Sequence, residues 1–311
     1  MRHFRTFVPL VAFLGFVSGT ARAQGTGERS ASEKRLFWKV ASEKGEVYLL
    51  GSIHVGKADL YPLPAEIEDA FAKSAALVVE ADMEKGDPAE IQRLVVTKGM
   101  YGEGDSIEKH LSKEAFEKLK EGLKKLGAPL EGVLQVKPWL LSLQLQMSAI
   151  QKLGYDASLG IDQHFLTAAR KNKKSIIELE SVEQQLDILA GFPDDLQEKS
   201  LLLTIAEQDQ VKEQVEALFV AWSKGDSAGM IERTEKRIKE HPESKPVMEK
   251  MIDDRNVAMT KRIEGYLAEK GPHFVVVGSL HLVGDKGIVA LLAQGKKYKI
   301  DQVAVTPTPK K

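Results

Sequence analysis

Two short stretches of this sequence share one design. Tyr48-Leu49-Leu50-Gly51-Ser52-Ile53-His54 and Val275-Val276-Val277-Gly278-Ser279-Leu280-His281 each run from an apolar strand into Gly-Ser, one aliphatic residue and a histidine. A glycine three residues before a histidine means little alone in a chain with 7 histidines and 25 glycines. Two such exits with matching serines and matching strands are a pattern. Parallel strands place their exits around a common crevice, so both imidazoles are expected to face one site. Glu80 follows the wholly apolar Leu77-Val78-Val79, where a carboxylate is costly unless it is paired or ligates a metal. His54, His281 and Glu80 form a sufficient ligand set for zinc, manganese or cobalt with one position open to water. Such an ion would acidify its water and polarise a carbonyl, as amide or ester hydrolysis requires. Glu80 could instead be the general base. Arg255, in a helical run with Asn256, could stabilise an oxyanion or hold Glu80. Asp162 and Glu180 are further candidates of this kind, while His110, His164, His241 and His273 lack a partner pattern and are read as surface or structural residues.

The bland reading of each motif is a hydrogen-bonded histidine at a strand end, a salt-bridged Glu80 and a solvated Arg255. The absence of cysteine removes disulfides, thiolate metal sites and a cysteine nucleophile, leaving His, Asp and Glu as the only strong ligands. Lys+Arg of 44 against Asp+Glu of 45 argues against a nucleic-acid partner. No G-x-S-x-G elbow, P-loop, G-x-G-x-x-G after a strand or H-E-x-x-H helix is present, so Ser52 and Ser279 are read as hydrogen-bond donors rather than nucleophiles.

The elements that must position these residues can be traced along the chain. Residues 1–23 have a basic start, an apolar stretch and Ala21-Arg22-Ala23, the pattern of a cleavable secretory signal. Export to a bacterial periplasm is therefore expected, with no membrane span after cleavage. Residues 24–35 are read as a flexible leader and 306–311 as a loose tail, with one domain over 36–305 between them. Strands are predicted at 36–40, 46–50, 76–79, 175–179, 273–277 and 298–303. Helices are predicted at 64–73, 91–96, 113–126, 138–153, 161–170 and 288–292, and a long helical insertion or cap fills about 182–267. Strand-helix-strand order at both ends with helices between gives a mixed α/β fold, its central sheet assembled from the N- and C-terminal segments.

These residues resemble the TraB/GumN family, whose animal relatives include the Tiki proteases. The resemblance runs from about Phe37 to Val303. It is carried by Leu50-Gly51-Ser52-Ile53-His54-Val55-Gly56, Tyr61-Pro62-Leu63-Pro64, Leu77-Val78-Val79-Glu80-Ala81-Asp82, Lys137-Pro138-Trp139, Gly160-Ile161-Asp162, Glu178-Leu179-Glu180-Ser181, Arg255-Asn256 and Val277-Gly278-Ser279-Leu280-His281. It implies a fold shared with erythromycin-esterase-like and ChaN-like haem-binding proteins, with His54, Glu80 and His281 as the core and Arg255 and Asn256 in support. For the Tiki branch it implies metal-dependent cleavage of peptide or protein substrates. A haem- or metal-binding protein without turnover, using the same histidines, is the alternative.

Overall fold

The first and last described segments of the chain enter a single six-stranded sheet. The computed structural model describes residues 33–306. The signal segment, most of the leader and nearly all of the tail expected from the sequence lie outside those residues. The strands are β1 (Glu33–Ala41), β2 (Glu46–Ser52), β3 (Ala76–Val79), β4 (Ser175–Glu178), β5 (Pro272–Gly278) and β6 (Lys299–Val305), and their order across the sheet is β4-β3-β5-β2-β1-β6. β4, β3, β5 and β2 are mutually parallel, while β1 pairs antiparallel with both β2 and β6. The mixed sheet inferred from the sequence is therefore present. One boundary differs, because β1 begins at Glu33 and pairs Glu33 with Val305 and Lys34 with Ala304. Polar composition suggested a free leader there, but an available edge partner from the other end of the chain draws these residues into the ladder.

β3 is buried at all four positions and β5 at six of seven, so both faces of the sheet centre are covered. The helices that follow in the first half of the chain are α1 (Ala65–Lys73), α2 (Pro88–Gly99), α3 (Ile107–His110), α4 (Lys113–Leu126), α5 (Pro138–Lys152) and α6 (Ile161–Lys171). The second half adds α7 (Val182–Ala190), α8 (Asp194–Ala206), α9 (Val211–Lys224), α10 (Ser227–Glu240), α11 (Lys245–Met248), α12 (Asp254–Leu267) and α13 (Ile288–Gln294). Their ends follow local chemistry: Asp87 caps α2 with proline at its first position, Ser181 and Gln184 form a capping box on α7, and Gly127 closes α4 in the left-handed region.

Two apolar clusters divide the interior. One surrounds the sheet through Phe37, Leu77, Phe165 and Phe274, and the other holds the helical layer together through Ile107, Leu119, Trp139, Leu186 and Leu201. Leu280 packs against both. The second Gly-Ser-x-His exit thus sits on the seam between sheet and helical layer, a usual place for a ligand crevice.

Candidate active site

The four parallel strands deliver the chemistry at their C-terminal ends. β2 leads to Ser52 and His54, β3 to Glu80, β4 to Glu178 and Glu180, and β5 to Gly278 and His281. The register aligns Ser52 with Gly278 and Val79 with both Val276 and Glu178, so these exits lie level with one another. Asp162 in the first turn of α6 and Arg255 and Asn256 in the first turn of α12 complete the site, all three buried. A π-helical turn over Glu249–Asp253 precedes α12, an irregularity of the kind often found beside functional residues.

The two glycine-histidine exits are tied to each other. Ser279 Oγ donates to the Ser52 carbonyl at 2.8 Å, and a Cβ on Gly51 would meet Ser279 Oγ at 3.0 Å and Ser279 Cα at 3.2 Å. Glycine in the first motif is what lets the second approach. Trp222 Nε1 adds a 2.7 Å bond to the Gly51 carbonyl from α9. Both serines act as donors, as their sequence context suggested.

His54 is 5% exposed and its Nδ1 lies 3.0 Å from Asp162 Oδ1, an ion-pair contact rather than an aligned hydrogen bond. Ser52 Oγ donates to the same Asp162 oxygen at 2.8 Å and accepts from the Asp162 N–H at 3.2 Å. Burial works against a charged His54, but Asp162 and then Glu80 outweigh it and raise the imidazole pKa above its ordinary value. The other ring nitrogen, Nε2, is buried without a hydrogen-bond partner among the described residues. It belongs to a side chain lining a cavity of about 10 Å³ shared with Glu80, Asp162, Gln185 and Met83, room for about one water. The start of α6 must come close to make this contact: a Cβ on Gly160 would lie 2.7 Å from the His54 carbonyl oxygen. Gly160→Ala is therefore expected to destabilise the fold by about 1–3 kcal/mol through overpacking, seen as a lower urea midpoint at unchanged slope.

Glu80 is fully engaged. Its Oε1 accepts from the Gly278 N–H at 2.6 Å, and its Oε2 accepts from Arg255 Nη2 at 2.6 Å and from Gln185 Nε2 at 3.4 Å. Burial disfavours the carboxylate, yet Arg255 and the Gly278 N–H hold its pKa well below the ordinary range. Glu80 as arranged is a poor base. Arg255 is equally occupied: Nε and Nη2 reach Glu180 at 2.6–3.0 Å, and Nη1 donates to the Met251 carbonyl at 2.8 Å and to His281 Nε2 at 3.1 Å. Asn256 fixes the histidine tautomer. Its Nδ2 donates to the Lys286 carbonyl at 2.8 Å, so its Oδ1 is the atom 2.6 Å from His281 Nδ1, which must carry the proton.

His281 is thus neutral, with its pKa pushed down to about 3 by burial and by the neighbouring Arg255 charge. A pH dependence of stability follows. The unfolded chain protonates this histidine from about pH 6.5 downward while the folded chain resists until about 3, so its stabilising contribution is full above pH 6.5 and falls across that interval. Glu80 adds a second loss below about 4.5, and His54, whose pKa is raised, acts with the opposite sign. Urea unfolding between pH 7 and 4.5 is expected to show a steeper loss for the wild type than for His281→Gln.

The sequence-derived set is brought together, with differences in role. His54, Glu80, His281, Arg255 and Asn256 all enter one buried cluster, joined by Asp162 and Glu180. The contacts of Glu80 with Gln185 and with the Gly278 N–H cannot be read from the sequence, since the fold alone brings these groups to the carboxylate. The metal expectation meets a specific obstacle. Of the three expected ligands, His281 has both ring nitrogens and Glu80 both oxygens satisfied, and His54 alone keeps an unpartnered Nε2. Among the described residues no group of three or more His, Asp or Glu is disposed to hold a metal ion. The three-ligand set does not fit an ion in this arrangement. Haem does not fit either, because the cavity beside His54 is far smaller than the several hundred Å³ typical of a cofactor pocket. His110, His164 and His241 pair with acidic residues outside the site, and His273 stacks on Tyr266 at the start of β5.

An α/β protein with paired Gly-Ser-x-His strand exits and a Glu–Arg–His cluster on its sheet belongs to a definable class. The chain is a member of the TraB/PrgY/gumN family, which it matches over residues 36–302. Among individual proteins it is similar to the uncharacterized protein YbaP of Escherichia coli strain K12, with 26% identity over 249 residues covering 79% of this chain and 87% of that one. YbaP of Shigella flexneri matches to the same extent. An uncharacterized protein of Treponema pallidum is 28% identical over 190 residues, covering 59% of this chain and 55% of that one. No solved structure matches the chain with significance.

Proposed function

We propose that this protein is a hydrolase of amide or ester bonds, with peptides as its first candidate substrates. The observation that carries the reading is His54: one face against Asp162, the other an unpartnered Nε2 in a buried pocket with room for one water. In this reading Asp162, held by Ser52, orients the imidazole, and Nε2 takes a proton from the attacking water. Glu80, kept ionised by Arg255, stabilises the imidazolium that forms.

The test is release of product from a fluorogenic peptide library and from small aryl esters, by the wild type and His54→Ala, with EDTA and with added Zn, Mn or Co. Turnover that disappears in His54→Ala supports a hydrolase, and the EDTA arm decides whether an ion takes part. Absence of turnover on every substrate under every ion would overturn the reading.

We also infer export to the periplasm from the signal-like residues 1–23. No helix among the described residues is long and apolar enough to cross a membrane. A periplasmic fraction containing protein whose first residue is Gln24 is the expected result.

A further inference from the structure

Arg255 sits where the sequence offers a place for an ion. Its Nη2 lies 2.6 Å from Glu80 Oε2 and 2.6 Å from Glu180 Oε2, and its Nη1 lies 3.1 Å from His281 Nε2. Two carboxylates and one imidazole nitrogen therefore converge on a single positive charge, the donor set that divalent ions select. Each of these donors already points its lone pair at the guanidinium. Asn256 keeps the proton of His281 on Nδ1, which leaves Nε2 as an acceptor facing Arg255.

The cation is also anchored from behind. Arg255 Nη1 donates to the Met251 carbonyl, and the side chain is 3% exposed. Nε and both terminal nitrogens of the guanidinium are engaged, and a guanidinium does not lose its charge. A planar group of this size holds Glu80, Glu180 and His281 too far apart for bonds of about 2 Å to a shared ion.

We propose that Arg255 is the built-in cation of this site, occupying the position of a divalent ion, with Glu80, Glu180 and His281 as its ligand shell. The wild-type chain then takes up no ion there, and removing the guanidinium opens a vacant three-donor ion site. This concerns what fills the site and stands apart from whether the protein hydrolyses anything.

Native mass spectrometry of the full chain in Zn, Mn and Co, taken in turn, tests it. Wild type and Arg255→Lys are expected to carry no ion that is lost on His281→Ala. Arg255→Ala is expected to gain one ion per chain and to lose it again in Arg255→Ala/His281→Ala. A wild-type ion that disappears in His281→Ala would overturn the proposal, as would a folded Arg255→Ala that binds none. Should Arg255→Ala fail to fold, the comparison of wild type with His281→Ala decides alone: a His281-dependent ion sinks the proposal and its absence supports it.

Discussion

His54→Ala is expected to lower hydrolysis by about 10²- to 10⁴-fold, the range that a positioned general base supplies. The effect should fall on kcat, since His54 is one lining residue of a pocket with room for one water and contributes little area for substrate to bind. The pH profile gives a sharper signature than the rate. His54 works as a base only when neutral, and its pKa is raised, with burial opposing and Asp162 and Glu80 prevailing. The rate should therefore climb with pH through an apparent pKa above 6.5. Asp162→Asn removes the main charge that favours the imidazolium, so the climb should move to lower pH while the plateau falls. A merely structural Asp162 would lower the plateau and leave the midpoint in place. Solution kinetics from pH 5 to 9 on the best substrate separates the two, and an unmoved midpoint would remove His54 from the role of base.

That dyad also shows where reading the sequence stops. The two Gly-Ser-x-His exits and Glu80 announce themselves because β strands of a parallel sheet end together, and local apolar runs mark those strands. Their convergence is legible for the same reason. Asp162 is harder to weigh. It is one aspartate among many in a helical first turn, and only the close approach of Gly160 to the His54 backbone brings it beside the imidazole. Arg255 is legible as a candidate and illegible in its connections, because three of its partners lie on other elements, at Glu80, Glu180 and His281. The helical character of the middle of the chain is legible in its periodicity, yet its separate apolar cluster and its seam with the sheet depend on packing between segments far apart in the chain.

Arg255→Ala is expected to destabilise the fold by about 3–5 kcal/mol, the cost of leaving buried charges without their partner. Glu80 and Glu180 both pair with this one guanidinium at 2.6 Å, and side chains of all three are almost entirely shielded from water. With Arg255 gone, two carboxylates face one another in a low-dielectric crevice, and His281 Nε2 loses its donor. The chain can relieve this by taking up a proton, so the loss should be larger at pH 7.5 than at pH 5. Wild type runs the other way over that interval, because its neutral His281 and ionised Glu80 are worth more at the higher pH. Urea titrations of both proteins at the two pH values measure the crossing. Glu80→Gln/Arg255→Ala should recover part of the stability by removing one of the stranded charges, since contacting residues of one network do not add independently. If the double variant is no more stable than Arg255→Ala alone, the repulsion between Glu80 and Glu180 is not what the arginine is holding in check.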